Sequence, residues 1–271
     1  MKLEMNRAWN QAMALIGANK DVVFVVAGVF FFLPYMIFLM AMPEMAAMSD
    51  PATADAAFEQ LGAFYADAWW AMLLISILQG IGMLGLLALL TDQRRPTVGE
   101  ALKIGASKIL SYLAAYILLA MAVGMLAMLL IGGAGATGSV AAGLVAFVLA
   151  FALAAYAFVK FSLVAPVLVK EGVANPVTAL RRSWRMTKGN SLRLFAFYFL
   201  LVIALFVVMM VISIVVGLLL ALFGPGAQAF GSALMGSLMN AIWATLFLAV
   251  LAAVHDQLGG ASRAQISETF E

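Results

Sequence analysis

Six long apolar runs separated by short polar segments dominate the chain, at 22–42, 68–90, 109–131, 140–160, 194–222 and 232–254. A hydrocarbon core about 30 Å thick takes about 20 helical residues to cross, so each run predicts one membrane span. The fifth is long enough to tilt or project. Lipid offers the backbone no hydrogen-bond partners, which makes every span helical. Three of the polar segments also carry helical spacing. In 3–16, Met5, Trp9, Ala12 and Ile16 recur on one side while Arg7 and Gln11 take the other. Thr97 and Glu100 form the pattern of a capping box and open the second segment. Asn175 can cap the third, and Pro176 suits its first turn.

In that third segment Leu180, Trp184 and Thr187 share a sector, Arg181, Arg182, Arg185 and Lys188 fill the neighbouring one, and Gly189-Asn190 ends the helix. An indole beside a cationic stripe suits a helix lying on a membrane, with the ring at the headgroup boundary and the charges reaching phosphates. Alternatively, such charges do no more than set topology. The expected fold class is all-α: a polytopic membrane protein with six transmembrane helices and about three amphipathic interfacial helices.

The layout repeats. Ile16-Gly17-Ala18-Asn19-Lys20 precedes the first span and Ile104-Gly105-Ala106-Ser107-Lys108 the third, with a looser counterpart, Thr187-Lys188-Gly189-Asn190, before the fifth. A single membrane domain over 1–271 is expected, in a pseudo-threefold repeat of units at about 1–92, 93–172 and 173–256 with a short tail at 257–271.

Charge adds the orientation. All fifteen Lys and Arg fall on one side of the six predicted spans: Lys2, Arg7 and Lys20; Arg94, Arg95, Lys103 and Lys108; the seven between Lys160 and Arg193; and Arg263. The longest loop on the other side carries Glu44, Asp50, Asp55, Glu59 and Asp67. Positive charge is retained inside during insertion, so both termini and both basic loops are expected in the cytoplasm of a bacterial inner-membrane protein. Anionic glycerophospholipids suit such a face, and nucleic acid is not expected as a partner. The first span is longer than a signal-peptide apolar region, and acidic Glu4 and Asp21 dilute its basic flank, so it is expected to persist as a helix.

Composition narrows the chemistry. Two thirds of the chain is apolar and a tenth charged, which leaves no room for a separate soluble domain. With no Cys and a single His, thiolate catalysis and Cys-ligated metal are excluded, and neither a metal site nor another cofactor is expected. Scattered Ser residues have no basic partner for a triad. Gly132-Gly133-Ala134-Gly135-Ala136-Thr137-Gly138 lacks the Lys-Ser/Thr of a phosphate loop and reads as a turn between spans.

Ionisable and amide groups within spans are the remaining candidates. Lys160 ends the fourth span, eleven residues before Glu171 with Pro166 between; either the two fold into a pair or Lys160 snorkels to headgroups. Gln79 and Asn240 lie mid-span and serve either as packing glue or as polar spots on a substrate path. Gly80, Gly82 and Gly85, and the Ala142, Ala146, Ala150, Ala154 ladder, predict close helix approach. His255-Asp256 is expected as an interfacial pair.

Lys160-Phe-Ser-Leu-Val-Ala-Pro166 through Lys170-Glu171-Gly172, followed by Asn175-Pro176 and Ser183-Trp184-Arg-Met-Thr187-Lys188-Gly189-Asn190, resembles the membrane domain of glycerophosphoryl diester phosphodiesterases and the YciC-like bacterial membrane proteins. In proteins that join this domain to a phosphodiesterase, catalysis belongs to a separate soluble barrel. The resemblance therefore implies a membrane module without catalytic residues.

A non-enzymatic, lipid-interacting scaffold or accessory protein is the expected function. Its proposed headgroup-binding residues are Arg181, Arg182, Arg185 and Lys188, with Trp184 and Trp9 setting depth. A protein partner or homo-oligomer is compatible with it. The alternative is a transporter or flippase-like carrier using Gln79, Asn240, Lys160 and Glu171.

Overall fold

The computed structural model describes residues 2–41, 54–92 and 96–268. Arg94, Arg95, Glu44 and Asp50 lie outside them, as do the side chains of Asp55 and Arg263. Helices account for nearly all of the described chain, and no strand occurs among these residues. Six stretches are long and apolar enough to cross a membrane: Lys20–Ala41, Glu59–Thr91, Val98–Gly135, Val140–Lys170, Ser191–Phe223 and Gly226–Gly259. They coincide with the six apolar runs, and the chain is a multi-pass membrane protein.

The first short helix is α1 (Met5–Ala18). It buries Ala8 and Ala12 and packs on the last helix, while Trp9 stays 37% exposed. Of the predicted stripe, Ala12 is buried and Met5 and Ile16 pack against the core, while Trp9 turns outward and the small Ala8 takes the close contact instead. Next comes the first span, built from α2 (Lys20–Ala27), a π-helical turn (Gly28–Phe32) and α3 (Leu33–Ala41). Pro34 lies two residues beyond that turn, after Leu33. Its missing N–H and its ring oppose regular α-helical bonding to the preceding turn, and a π-turn is one way a helix absorbs this.

Two 38-residue helices follow, α4 (Ala54–Thr91) and α5 (Val98–Gly135). At 1.5 Å per residue each is roughly 57 Å long, well beyond a hydrocarbon core of about 30 Å. The capping box predicted at Thr97 and Glu100 is present, but it opens α5 itself. The second short helix expected before the third span is thus continuous with that span: nothing after Thr97 breaks the run of helix-forming residues, and Gly105 is tolerated because packing requires it. A Cβ on Gly105 would lie 2.5 Å from the Ile81 carbonyl oxygen and 2.8 Å from the Gly85 nitrogen. Gly80 likewise leaves room for Ile109, and Gly82 for Phe30. The glycine row predicted to permit close approach does so.

The chain then turns through Gly138 (φ 65°) into α6 (Val140–Phe161). In α6 Ala146, Ala150 and Ala157 are buried, and Ala154 of the predicted ladder faces outward. The remaining elements are α7 (Val164–Lys170), α8 (Pro176–Thr187), α9 (Ser191–Leu220) and α10 (Pro225–Glu268).

The core is concentrated toward one end of the bundle, in the later half of α4, Val164–Leu168 of α7 and Leu248–Val254 of α10. The spans α5 and α9 bury almost none of their most apolar stretches, where Met121, Met128, Phe206 and Leu218 stand exposed. In lipid such faces are solvated by acyl chains and carry no penalty.

Candidate functional site

Pro166 organises the first cluster. An uninterrupted helix through 161–166 would set its ring against the carbonyl of Ser162. The chain breaks there instead, and α7 begins at Val164. Such a break leaves backbone groups without partners, which is costly when buried. Here α8 supplies them. Ser183 Oγ donates to the Lys160 carbonyl (2.8 Å) and accepts from Leu163 N–H (3.2 Å). Thr187 Oγ1 lies 3.4 Å from the same carbonyl. Ser162 Oγ donates to Val159 O (3.0 Å) and meets the Tyr198 hydroxyl of α9 (3.2 Å).

The charged groups form a second cluster, at the end of α7. Glu171 accepts from Arg182 Nε at 3.1 and 2.9 Å through its two oxygens, and one of these lies 3.3 Å from His255 Nε2. Lys170 pairs with Asp256, whose other oxygen accepts from Gln11 Nε2 of α1 (3.1 Å). His255 is buried, and its Nδ1 has no hydrogen-bond partner among the described residues. The His255-Asp256 unit is thus part of a network joining α1, α7, α8 and α10. No three His, Asp or Glu side chains converge to hold a metal ion among the described residues.

Glu171 does not pair with Lys160. That lysine is 4% exposed and rests its ammonium 4.9 Å from the centre of the Trp184 ring and 5.6 Å from that of Tyr156. Among the described residues no carboxylate forms an ion pair with it. Cation–π attraction replaces the counter-ion. The indole is fixed on other sides as well, with Phe161 at 5.5 Å and Tyr156 at 5.7 Å between ring centres.

On α8, Arg181, Arg185 and Lys188 are exposed, and Trp184 is 40% exposed beside them. Arg182 turns inward to Glu171. The four cations predicted as one stripe therefore divide, three outward and one engaged within the fold, because a carboxylate lies within reach of only one. Between α5 and α8 lies a groove of about 270 Å³, walled by Leu118, Leu119, Phe161, Leu180 and Trp184, with Arg181 contributing the charge.

Residues 136–254 match the membrane domain of glycerophosphoryl diester phosphodiesterase. Over that stretch the resemblance read from the sequence is a family match. No curated protein and no solved structure matches the chain. The membrane domain so matched contains the helix break, Glu171 with Arg182, and the whole of α8; His255 and Asp256 follow it directly. Asn190, at its Gly189 turn (φ 82°), accepts from Leu3 N–H at 2.9 Å and so ties the domain to the start of the chain.

Asn240 donates its amide to the Phe31 carbonyl in the π-turn (3.0 Å), a bond between spans of the kind expected of packing glue. It also borders a groove of about 400 Å³ between α3, α9 and α10, with Tyr35, Met209 and Trp243. Gln79 is half-buried on α4 and has no hydrogen-bond partner among the described residues.

Sequence reasoning missed Lys170, Gln11, Ser183 and Asn190 as organising residues. The signal for Ser183 was available: a Pro four residues past Ser162 announces orphaned backbone, and a buried hydroxyl must answer it. Nothing local announces Gln11, whose partner is 245 positions away.

Proposed function

We propose that this protein is a non-enzymatic scaffold or accessory component of the bacterial inner membrane that holds anionic glycerophospholipids on a basic cytoplasmic face. The observation that carries the reading is the outward placement of Arg181, Arg185 and Lys188 around a half-exposed Trp184. Trp9 is exposed on α1 and serves the same anchoring role. Each basic residue near an anionic surface contributes about 1 kcal/mol, or about five-fold in affinity.

Native mass spectrometry with lipid analysis tests it, on protein extracted in mild detergent. The variant Arg181→Gln/Arg185→Gln/Lys188→Gln leaves the Arg182–Glu171 pair intact and should lose most of its retained anionic lipid. Equal retention by wild type and variant would overturn the reading.

A second reading, a carrier of a small or lipid substrate, draws on the groove beside Asn240 and on the helix break at Pro166, although Pro34 and Pro166 do not fall at matched positions in the expected repeat units. Discontinuous helices commonly mark transporter sites. Against it, the backbone freed at Pro166 is already bonded to Ser183. Scrambling or uptake by proteoliposomes that disappears in Asn240→Leu would favour this reading over the first.

A further inference from the structure

Among the cationic residues of α8, Arg181 alone stands at an apolar groove. The walls contributed by α5 are Leu118, Leu119 and Ala122, and those opposite are Phe161, Leu180 and Trp184. One side is therefore fit for hydrocarbon and the edge is fit for an anion. Two further observations point the same way. Lys160 is almost wholly buried with its ammonium over the Trp184 ring and no carboxylate paired to it among the described residues, so the indole wall of the groove is backed by a cation without an anionic partner. The indole wall is also held on two sides by Phe161 and Tyr156, so the groove is formed before anything enters it.

We propose that this groove is a specific site for one anionic diacyl phospholipid, with an acyl chain along the α5 wall and the phosphate on Arg181. The inference rests on the lipid-holding reading above and narrows it from a face to a site. A transmembrane helix is a poor alternative occupant. With side chains it is about 10–12 Å across, and helices approach closely through small residues, whereas these walls are mostly Leu, Phe and Trp. Arg181 contributes the recognition that Arg182 cannot, since Arg182 is engaged by Glu171.

The experiment uses the full chain in nanodiscs containing phosphatidylglycerol with a diazirine on one acyl chain, or the matching phosphatidylcholine. Crosslinked peptides are mapped after irradiation. Phosphatidylglycerol should label 118–122 and 177–184 at least five-fold above phosphatidylcholine. Arg181→Gln should abolish that preference. Ala122→Phe, at an exposed position where it fills the groove without entering the core, should lower labelling there about ten-fold and leave Leu218 and Leu222 labelled as before. Even labelling of all lipid-facing helices, unaffected by either variant, would overturn the site.

Displacement of the lipid by soluble glycerol phosphate would also overturn it, since the groove would then hold a free phosphate and no chain. The wider reading fails differently: Arg185→Gln/Lys188→Gln with Arg181 retained lowers bulk anionic lipid if the face matters. If that loss is seen while Arg181→Gln and Ala122→Phe do nothing, the face stands and the groove does not.

Discussion

Individual side chains in this protein mostly close gaps that the chain itself opens. Ser183 is the clearest example, since one hydroxyl serves both an orphaned carbonyl and an orphaned N–H at the Pro166 break. Ser183→Ala should cost about 1–3 kcal/mol, the expense of leaving buried backbone unsatisfied, read as a lower midpoint in a thermal melt in detergent. Thr187→Ser keeps the hydroxyl and should be much milder. Glu171→Gln removes the charge facing Arg182 and His255 and should destabilise by about 1–3 kcal/mol by the same assay. An unchanged midpoint would mean that the network is ornamental. The sequence singled out Glu171 and left Lys160 either as its partner across Pro166 or as a side chain snorkelling to headgroups. The choice of Arg182 depends on how α8 folds back after Gly172 (φ 69°), a direction that residue spacing does not encode.

At the level of helices, the contrast between two glycines is informative. Gly105 and Gly17 occupy the same place in the matched five-residue segments, yet only Gly105 has backbone against it, and nothing lies within 4 Å of a Cβ on Gly17. Gly105→Ala should force α4 and α5 apart and cost about 1–3 kcal/mol. Gly17→Ala should be neutral or stabilise by up to about 1 kcal/mol through helix propensity. Equal effects in thermal melts would contradict this packing. Span number and position were legible because length and hydropathy decide them almost alone. The fusion of the second short helix into α5 was less legible, since a capping box marks where a helix starts and is silent on where it stops.

For the molecule as a whole, the strongest expectation from sequence concerns orientation, because insertion responds to the Lys and Arg distribution more than to packing. The chain has no Cys, which makes single-cysteine labelling clean. In intact cells a membrane-impermeant maleimide should modify Ser139→Cys in the turn before α6, whereas Ser107→Cys should react only after permeabilisation. The reverse pattern would invert the topology and move the basic face to the other side. The candidate site was legible as a charged stripe but not as a groove, since its walls come from segments about 60 residues apart that meet only in the folded bundle.

The ties at the start of the chain also set a clock. Glu4 N–H and carbonyl meet the Gln257 amide, 253 positions later, and Leu3 is bound to Asn190. At about 5–20 residues per second, synthesis of the intervening chain takes roughly 13–50 s. During that interval α1, with its face of small alanines, has no α10 to cover it. The nascent protein thus carries an uncovered α1 until Gln257 has been made.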